Sequence, residues 1–331
     1  MAPARAVKAL YAVVLIALLA APAPAVTASA NGARAARAPA VKAPRTPAPA
    51  PSPTFIPNPR APGERGLEIA VPAYARADDP MPVDLVAASP AASVVVLNPG
   101  NGDAPFDATW RARADALRTG TTATGERTKV LGYVHTDHGN RDMAAVKASV
   151  DNYLRPADGG DGRLHVDGIF FDVVSRDCGP DNSIRDRYGE LRAYVRDTLH
   201  AIDPEASDLV VNNPGTPIAD CFLEPGHRTA DIFVTFEDTY AAYASGGWLG
   251  GNVFNAVSGY RSGAELDPSG TAFWHLVHDV PDTRAMRDTL RTAFDRGAGY
   301  AYATNAEMPN PWNESPSWKY RTQTTEAATL G

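Results

Sequence analysis

Eight short apolar runs, most of them separated by amphipathic segments, constrain the fold of this chain more than any other feature. They are Leu67–Pro72, Ser93–Asn98, Val130–His135, Gly168–Asp172, Leu209–Asn213, Ile232–Phe236, Thr271–Leu276 and Gly299–Ala303. Runs this short and this apolar suit parallel strands covered on both faces. Between them, Asp107–Thr119, Asp142–Leu154, Ile184–Ile202 and Thr283–Arg296 carry apolar residues at helical spacing, with Thr283 as the expected N-cap of the last. A short helix near Thr239–Ala244 precedes a Gly-rich stretch, Gly246–Gly251, which reads as an irregular crossover or a loop over the mouth. Alternating strand and helix predicts a parallel sheet, and eight strands predict its closure into an α/β (β/α)8 TIM barrel. The rival is an open doubly wound sheet, but no Gly-rich phosphate fingerprint follows the first run.

The ends of the chain read differently. Arg5 and Lys8 precede a short apolar run, Ala9–Ala21, and two small-residue cleavage sites, Ala23-Pro24-Ala25 and Ala28-Ser29-Ala30. Residues 1–30 therefore read as a secretory signal peptide, too short in its apolar part to span a bilayer. Residues 31–62 are Ala, Pro and Arg with few large apolar side chains, so they are expected to form an extended, solvated linker. Arg34, Arg37, Lys42 and Arg45 make that linker basic, as a contact to an anionic wall or polymer would require. Residues 63–331 then form one domain of TIM-barrel size. No second long apolar stretch follows, so a soluble, secreted or cell-surface monomer with no membrane span is expected. The net charge of −7 argues against a nucleic-acid partner, which would demand a basic patch. In an exported protein Cys178 and Cys221 are expected to pair; two free thiols or a metal pair are the alternatives, and a zinc site would want four ligands.

Polar and aromatic residues collect at the C-terminal ends of the runs, the rim where barrel active sites are built. In chain order they are Tyr74, Asn98, Tyr133, His135, Asp172, Asn213, Glu237, Trp274, His275, Thr304 and Asn305. Asp172 and Glu237 stand at the ends of the fourth and sixth runs, two strands apart. A pair of carboxylates facing each other across a barrel mouth is the minimum kit for glycosidic cleavage: one protonates the leaving oxygen, the other attacks or activates water. The structural alternative is that each acid simply pairs with a base, with Arg176, His135 and His275 within sequence reach. Two tripeptides, Asn98-Pro99-Gly100 and Asn213-Pro214-Gly215, each follow a run. Pro and Gly there make a turn, and each Asn amide is a candidate for bonding a sugar. Tyr74, Tyr133, Tyr240, Trp274 and Trp312 are candidate stacking platforms, or else packing residues. His135, His138, His275 and His278 form no His-Glu-x-x-His pattern on a helix, so neither a metal site nor a cofactor is expected.

Gly132-Tyr133-Val134-His135-Thr136, Asp167-Gly168-Ile169-Phe170-Phe171-Asp172, Asn213-Pro214-Gly215, Val234-Thr235-Phe236-Glu237 and Met308-Pro309-Asn310-Pro311-Trp312 together resemble the spherulin-4 family. The resemblance runs from Leu67 to about Trp318. It implies a TIM-barrel glycoside hydrolase acting endo on α-1,4-linked N-acetylgalactosamine or galactosamine stretches of microbial exopolysaccharide, with Asp172 and Glu237 as the catalytic carboxylates. The chain departs from the family where Asp172 is followed by Val173 rather than Glu. The expected function is therefore a secreted hydrolase of an amino-sugar polysaccharide. Glu237 is the expected acid, because apolar neighbours such as Phe236 raise its pKa. Asp172 is the expected nucleophile or the group that stabilises the oxocarbenium-like state. The rivals are a non-catalytic carbohydrate-binding barrel, with Val173 as its mark, and a hydrolase of peptides or esters, for which no Gly-x-Ser-x-Gly elbow exists.

Overall fold

In a computed structural model, residues 66–156, 161–246 and 271–331 are described. The signal-peptide and linker expectations, and Gly247–Gly251 of the Gly-rich stretch, lie outside them. The eight runs become eight parallel strands: β1 Glu68–Ala73, β2 Val94–Leu97, β3 Lys129–His135, β4 Gly168–Asp172, β5 Leu209–Asn213, β6 Ile232–Thr239, β7 Ala272–His278 and β8 Tyr300–Ala303. They hydrogen-bond in sequence order and close on themselves, with Glu68 and Ile69 of β1 opposite Tyr300 and Ala301 of β8. This is a (β/α)8 TIM barrel. Strand interiors are almost wholly buried because one face fills the barrel and the other lies under the helices.

The helices are α1 Pro80–Val86, α2 Ala108–Arg118, α3 Met143–Leu154, α4 Ser183–Ile202, α5 Tyr240–Ser245, α6 Thr283–Asp295 and α7 Tyr320–Ala327. Three begin on an aspartate whose carboxylate accepts first-turn N–H groups: Asp107 caps α2, Asp142 caps α3 and Asp282 caps α6. The cap of α6 is thus Asp282 and not Thr283, which is the first helical residue; the carboxylate reaches the Ala285 N–H at 2.8 Å. Sequence periodicity misses α1, which is short and carries Pro80 and Pro82, and α7, whose helical face is mostly Thr, Gln and Arg. Between β5 and β6 a 3-10 turn, Asp220–Leu223, stands in place of a helix.

One irregularity positions the site. On β7, Trp274 points into the barrel, where its ring meets Phe170 of β4 at 5.7 Å. Its partner on β6, Val234, shares that side. Strict alternation would then turn Phe236 inward and Glu237 outward. Instead the register slips between Val234 and Phe236, so that Phe236 opposes His275 and Glu237 opposes Leu276. Phe236 packs outward against Tyr243 of α5 and His275, with ring centroids 4.7 and 6.3 Å away. Glu237 consequently faces the mouth. It also does not end its strand, as the sequence suggests, since β6 continues to Thr239.

Candidate active site

Asp172 is the last residue of β4, in register with His135 of β3 and Asn213 of β5. Its Oδ2 accepts the Tyr133 hydroxyl at 2.6 Å and its Oδ1 accepts the Asn213 Nδ2–H at 2.7 Å. The same Asn213 nitrogen donates to Glu237 Oε2, also at 2.7 Å. Glu237 Oε1 accepts the Trp312 indole N–H at 2.8 Å. The facing oxygens of the two acids are therefore no further apart than twice the bond length to their shared nitrogen. The structure brings the sequence-predicted pair together, and among the described residues neither acid has an arginine or lysine as a hydrogen-bond or salt-bridge partner.

Burial is the main cause holding both carboxyl groups protonated to higher pH than usual. For Glu237 the neighbouring Asp172 charge adds to it, and hydrogen bonds from Asn213 and Trp312 oppose it, leaving a pKa pushed up to about 7. For Asp172 the upward shift is opposed by three donors, the Tyr133 hydroxyl, the Val173 N–H and the Asn213 amide. Three donors against two make Asp172 the better-stabilised anion, so the proton of the pair belongs on Glu237.

The backbone after Asp172 is clamped. Val173 has φ +51°, a left-handed conformation that a β-branched residue rarely adopts. Its carbonyl accepts the His138 N–H at 2.6 Å and the Thr136 hydroxyl at 2.9 Å. The Asp172 carbonyl accepts the Thr136 N–H at 3.0 Å and its hydroxyl at 2.9 Å. Thr136 Oγ1 also lies 2.8 Å from the hydroxyl of Tyr188, on α4. Thr136 and Tyr188, both 1% exposed, were not legible as site residues, because a buried Thr or Tyr on a strand end or helix carries no local signal. The loop is further held by the disulfide between Cys178 and Cys221, which joins the segment after β4 to the turn after β5.

The other predicted residues divide. Tyr74 is half-buried beside the pair, its ring edge-on to Tyr133 at 5.2 Å, and its phenol is pushed well above its usual pKa by burial and then by the charges of Asp172 and Glu237. Tyr133 itself is 5% exposed and serves Asp172 with its hydroxyl while its ring covers Phe170 at 6.2 Å. Trp312 is 4% exposed and gives Glu237 a hydrogen bond from its indole N–H; its ring meets Tyr302 and His278, with centroids 5.9 and 6.0 Å away. Trp274 and His275 are corrections: both are 0% exposed, Trp274 inside the barrel and His275 outside it, 2.7 Å from the Tyr243 hydroxyl, so neither reaches a ligand at the mouth. Asn305 spends its side-chain oxygen on the Ser317 N–H at 2.5 Å, closing the loop after β8. Asn98 is half-buried, with its Nδ2 3.5 Å from Asn101 Oδ1. His135 is half-buried at the rim, close enough for its charge to oppose the rise at Asp172, and Tyr240 is half-buried at the start of α5. Among the described residues no group of three or more His, Cys, Asp or Glu side chains is arranged to hold a metal ion.

The model of spherulation-specific family 4 matches residues 68–326, and the chain belongs to that family. Among solved structures, Aspergillus clavatus Sph3 in complex with GalNAc shares the fold, with a TM-score of 0.59 at 22% identity over 80% of this chain and 98% of that one. Haloferax volcanii malate synthase in a lead(II) complex matches at a TM-score of 0.40 and 12% identity, over 80% of this chain and 72% of that one. A Rubisco-like protein from Rhodopseudomonas palustris matches at 0.42 and 12% identity, over 81% and 66%. Those two scores are too low to carry an argument. No curated protein sequence matches the chain.

Proposed function

We propose that this member of spherulation-specific family 4 is a secreted glycoside hydrolase that cleaves within an amino-sugar polysaccharide of the galactosamine or N-acetylgalactosamine type. The observation that carries the reading is the pair of carboxylates joined through one amide nitrogen. The short separation this imposes on the facing oxygens agrees with the roughly 5–5.5 Å class of retaining enzymes and not with the 6.5–9.5 Å that leaves room for a water. In the first step Asp172 attacks the anomeric carbon while Glu237 gives its proton to the departing glycosidic oxygen, so the glycosidic C–O bond breaks as a glycosyl ester forms. In the second, Glu237 takes a proton from water, the water oxygen attacks the same carbon, and the Asp172 carboxylate leaves. The aromatic surroundings, Tyr74 above all, suit a sugar face. The sugar identity is supported by the family and by the GalNAc bound to the Sph3 relative. Residues 1–30 as signal peptide and 31–62 as linker, with 63–331 as the catalytic domain, complete the proposal, and the disulfide suits an exported protein.

The test is release of oligosaccharides from partially deacetylated poly-galactosamine by the purified domain, with Asp172→Asn and Glu237→Gln as controls. Absence of product across several amino-sugar polymers would sink the enzyme reading. Retention of configuration in the first-formed product, read by NMR, is expected; inversion would remove the nucleophile role from Asp172. A second reading, a non-catalytic carbohydrate-binding barrel, draws on the half-buried apolar Val173 beside Asp172. Binding of the polymer without cleavage would favour it.

A further inference from the structure

Asn213 was a candidate for bonding sugar, but its side chain has no donor left to offer one. It is 3% exposed. Its Oδ1 accepts the Gly215 N–H at 2.8 Å, which fixes which end of the amide is nitrogen. The two Nδ2 hydrogens are then spent, one on Asp172 and one on Glu237. The same turn reaches Glu237 a second time, because the Glu237 N–H donates to the Gly215 carbonyl at 3.0 Å. Gly215 has φ +67° and lies against the Glu237 side chain, where an added Cβ would meet its Cβ at 3.5 Å. The tripeptide Asn213-Pro214-Gly215 thus holds one acid by side chain and the other by both side chain and backbone. Its twin, Asn98-Pro99-Gly100, makes a comparable turn with Gly100 at φ +57°, yet among the described residues its amide nitrogen reaches Asn101 Oδ1 and neither acid. The sequence motif is the same; only the copy after β5 stands between two acids.

We propose that Asn213 is a positioning residue for the acid pair, whose single amide sets the separation of Asp172 and Glu237 and leaves the sugar to other groups. The inference rests on the glycosidase reading for its catalytic consequence, but its structural core does not. An amide donor favours the ionised form of each acid it touches. Removing it leaves each carboxylate with one donor fewer and its position no longer fixed.

Two measurements test this in the full-length protein, using Asn213→Ala and the near-isosteric Asn213→Asp, with circular dichroism to verify folding. The first is a 13C-carboxyl NMR titration, with the two signals assigned by their loss in Asp172→Asn and Glu237→Gln. The expected result is that both titration midpoints move to higher pH in Asn213→Ala. The Asp variant, which adds a third carboxyl group, serves if Ala fails to fold, and the same direction is expected there. Unmoved midpoints overturn the inference, whether or not the protein is an enzyme. The second is the pH dependence of kcat and KM on whichever polymer the wild type cleaves. A fall in kcat on the order of 100-fold, as misplacement of reacting groups by about 1 Å produces, is expected, with KM within about twofold and both limbs of the kcat/KM profile displaced upward. A raised KM with unchanged kcat would make Asn213 a sugar ligand and overturn the proposal. A lower kcat with an undisplaced profile would reduce it to a structural residue. A wild type that cleaves nothing, with midpoints that still move, defeats the glycosidase reading and leaves the positioning role standing.

Discussion

Both ends of the barrel seat acids at strand termini, and the two ends treat them in opposite ways. At the N-terminal end Asp167, with its side chain 1% exposed, lies 3.3 Å from Arg118 and 2.5 Å from Arg127 and also accepts the Val130 N–H at 2.9 Å. Asp231 repeats the arrangement with Arg192, Arg228 and the Val210 N–H. At the C-terminal end the donors that Asp172 and Glu237 receive among the described residues are neutral, a phenol, an amide, an indole and a backbone N–H. A guanidinium bound to a buried carboxylate crosslinks two segments of the chain, so the acid braces the fold. Neutral donors leave the proton negotiable, which is what acid–base chemistry needs. Backbone strain follows the same division. Among the described residues every non-Gly residue with positive φ lies in a loop at the C-terminal end: Asn101, Asp137, His138, Val173, Asp181, Asn182 and Asp279. At the other end the described residues that adopt such angles are glycines. A cavity of about 340 Å³ does open at the N-terminal end, beside Arg118, Arg127 and Arg163, but those guanidinium groups already bond Asp167, Asp161 and the Leu164 carbonyl.

Exchanging the charge state of one acid at each end should separate the two roles most sharply. Asp172→Asn and Glu237→Gln are expected to lower kcat by 10²–10⁴-fold or more while the melting temperature holds or rises, read by product release and calorimetry. Asp167→Asn is expected to do the reverse. It costs about 3 kcal/mol of stability by denaturant titration, the low end for a broken buried pair because Arg127 is 40% exposed and finds water, with kcat of the folded fraction within about twofold. A catalytic loss at Asp167 without a stability loss would break the division. Removing the disulfide with Cys178→Ser and Cys221→Ser together, across a separation of 43 residues, is expected to cost about 2–4 kcal/mol. Activity should fall further than stability alone explains, since the crosslink flanks the Asp172 and Asn213 loops.

The smallest effect is in pH. A carboxyl group whose pKa is raised on folding stabilises the native state below its unfolded pKa, and that contribution drains away as pH climbs to the folded value. For Glu237, with an ordinary value of 4.5 and a folded value of about 7, stability should decline across that window and level off above it. Glu237→Gln should flatten the decline and melt higher than wild type at pH 8, whereas Asp167→Asn should melt lower at every pH from 5 to 8. Over the same window kcat/KM of the wild type should fall as pH rises through about 7, because the acid loses its proton.

Much of this architecture was legible in order and spacing. All eight strands lie within three residues of the apolar runs at each end, because a strand buried on two faces has to be apolar along its length. The acid pair was legible for a related reason: a carboxylate at the end of such a run has no packing role there. The substrate-contact residues were less so. Trp274 and His275 follow each other on one strand, so at least one had to face the helices; in the event both are buried, and period-two alternation at a rim does not reveal how deep a side chain sits. The indole of Trp312 looked like a sugar platform, and only its partner 75 residues earlier shows it to be a hydrogen-bond donor to Glu237.

The sequence by itself determined the barrel, the rim that carries polar groups and the two acids on it, because each depends on local pattern and on burial that composition enforces. Tertiary structure alone decided three things. The slip in β6 turns Glu237 inward where alternation would have turned it out. The closure of the barrel brings β5 between β4 and β6, so that one of two identical Asn-Pro-Gly turns joins the acids. The neutral donors that the described residues bring to the pair, a phenol, an amide and an indole, leave those acids free to exchange a proton. Each of these depends on which residues meet across separate strands, and pairing between strands is information that no single segment of the chain contains.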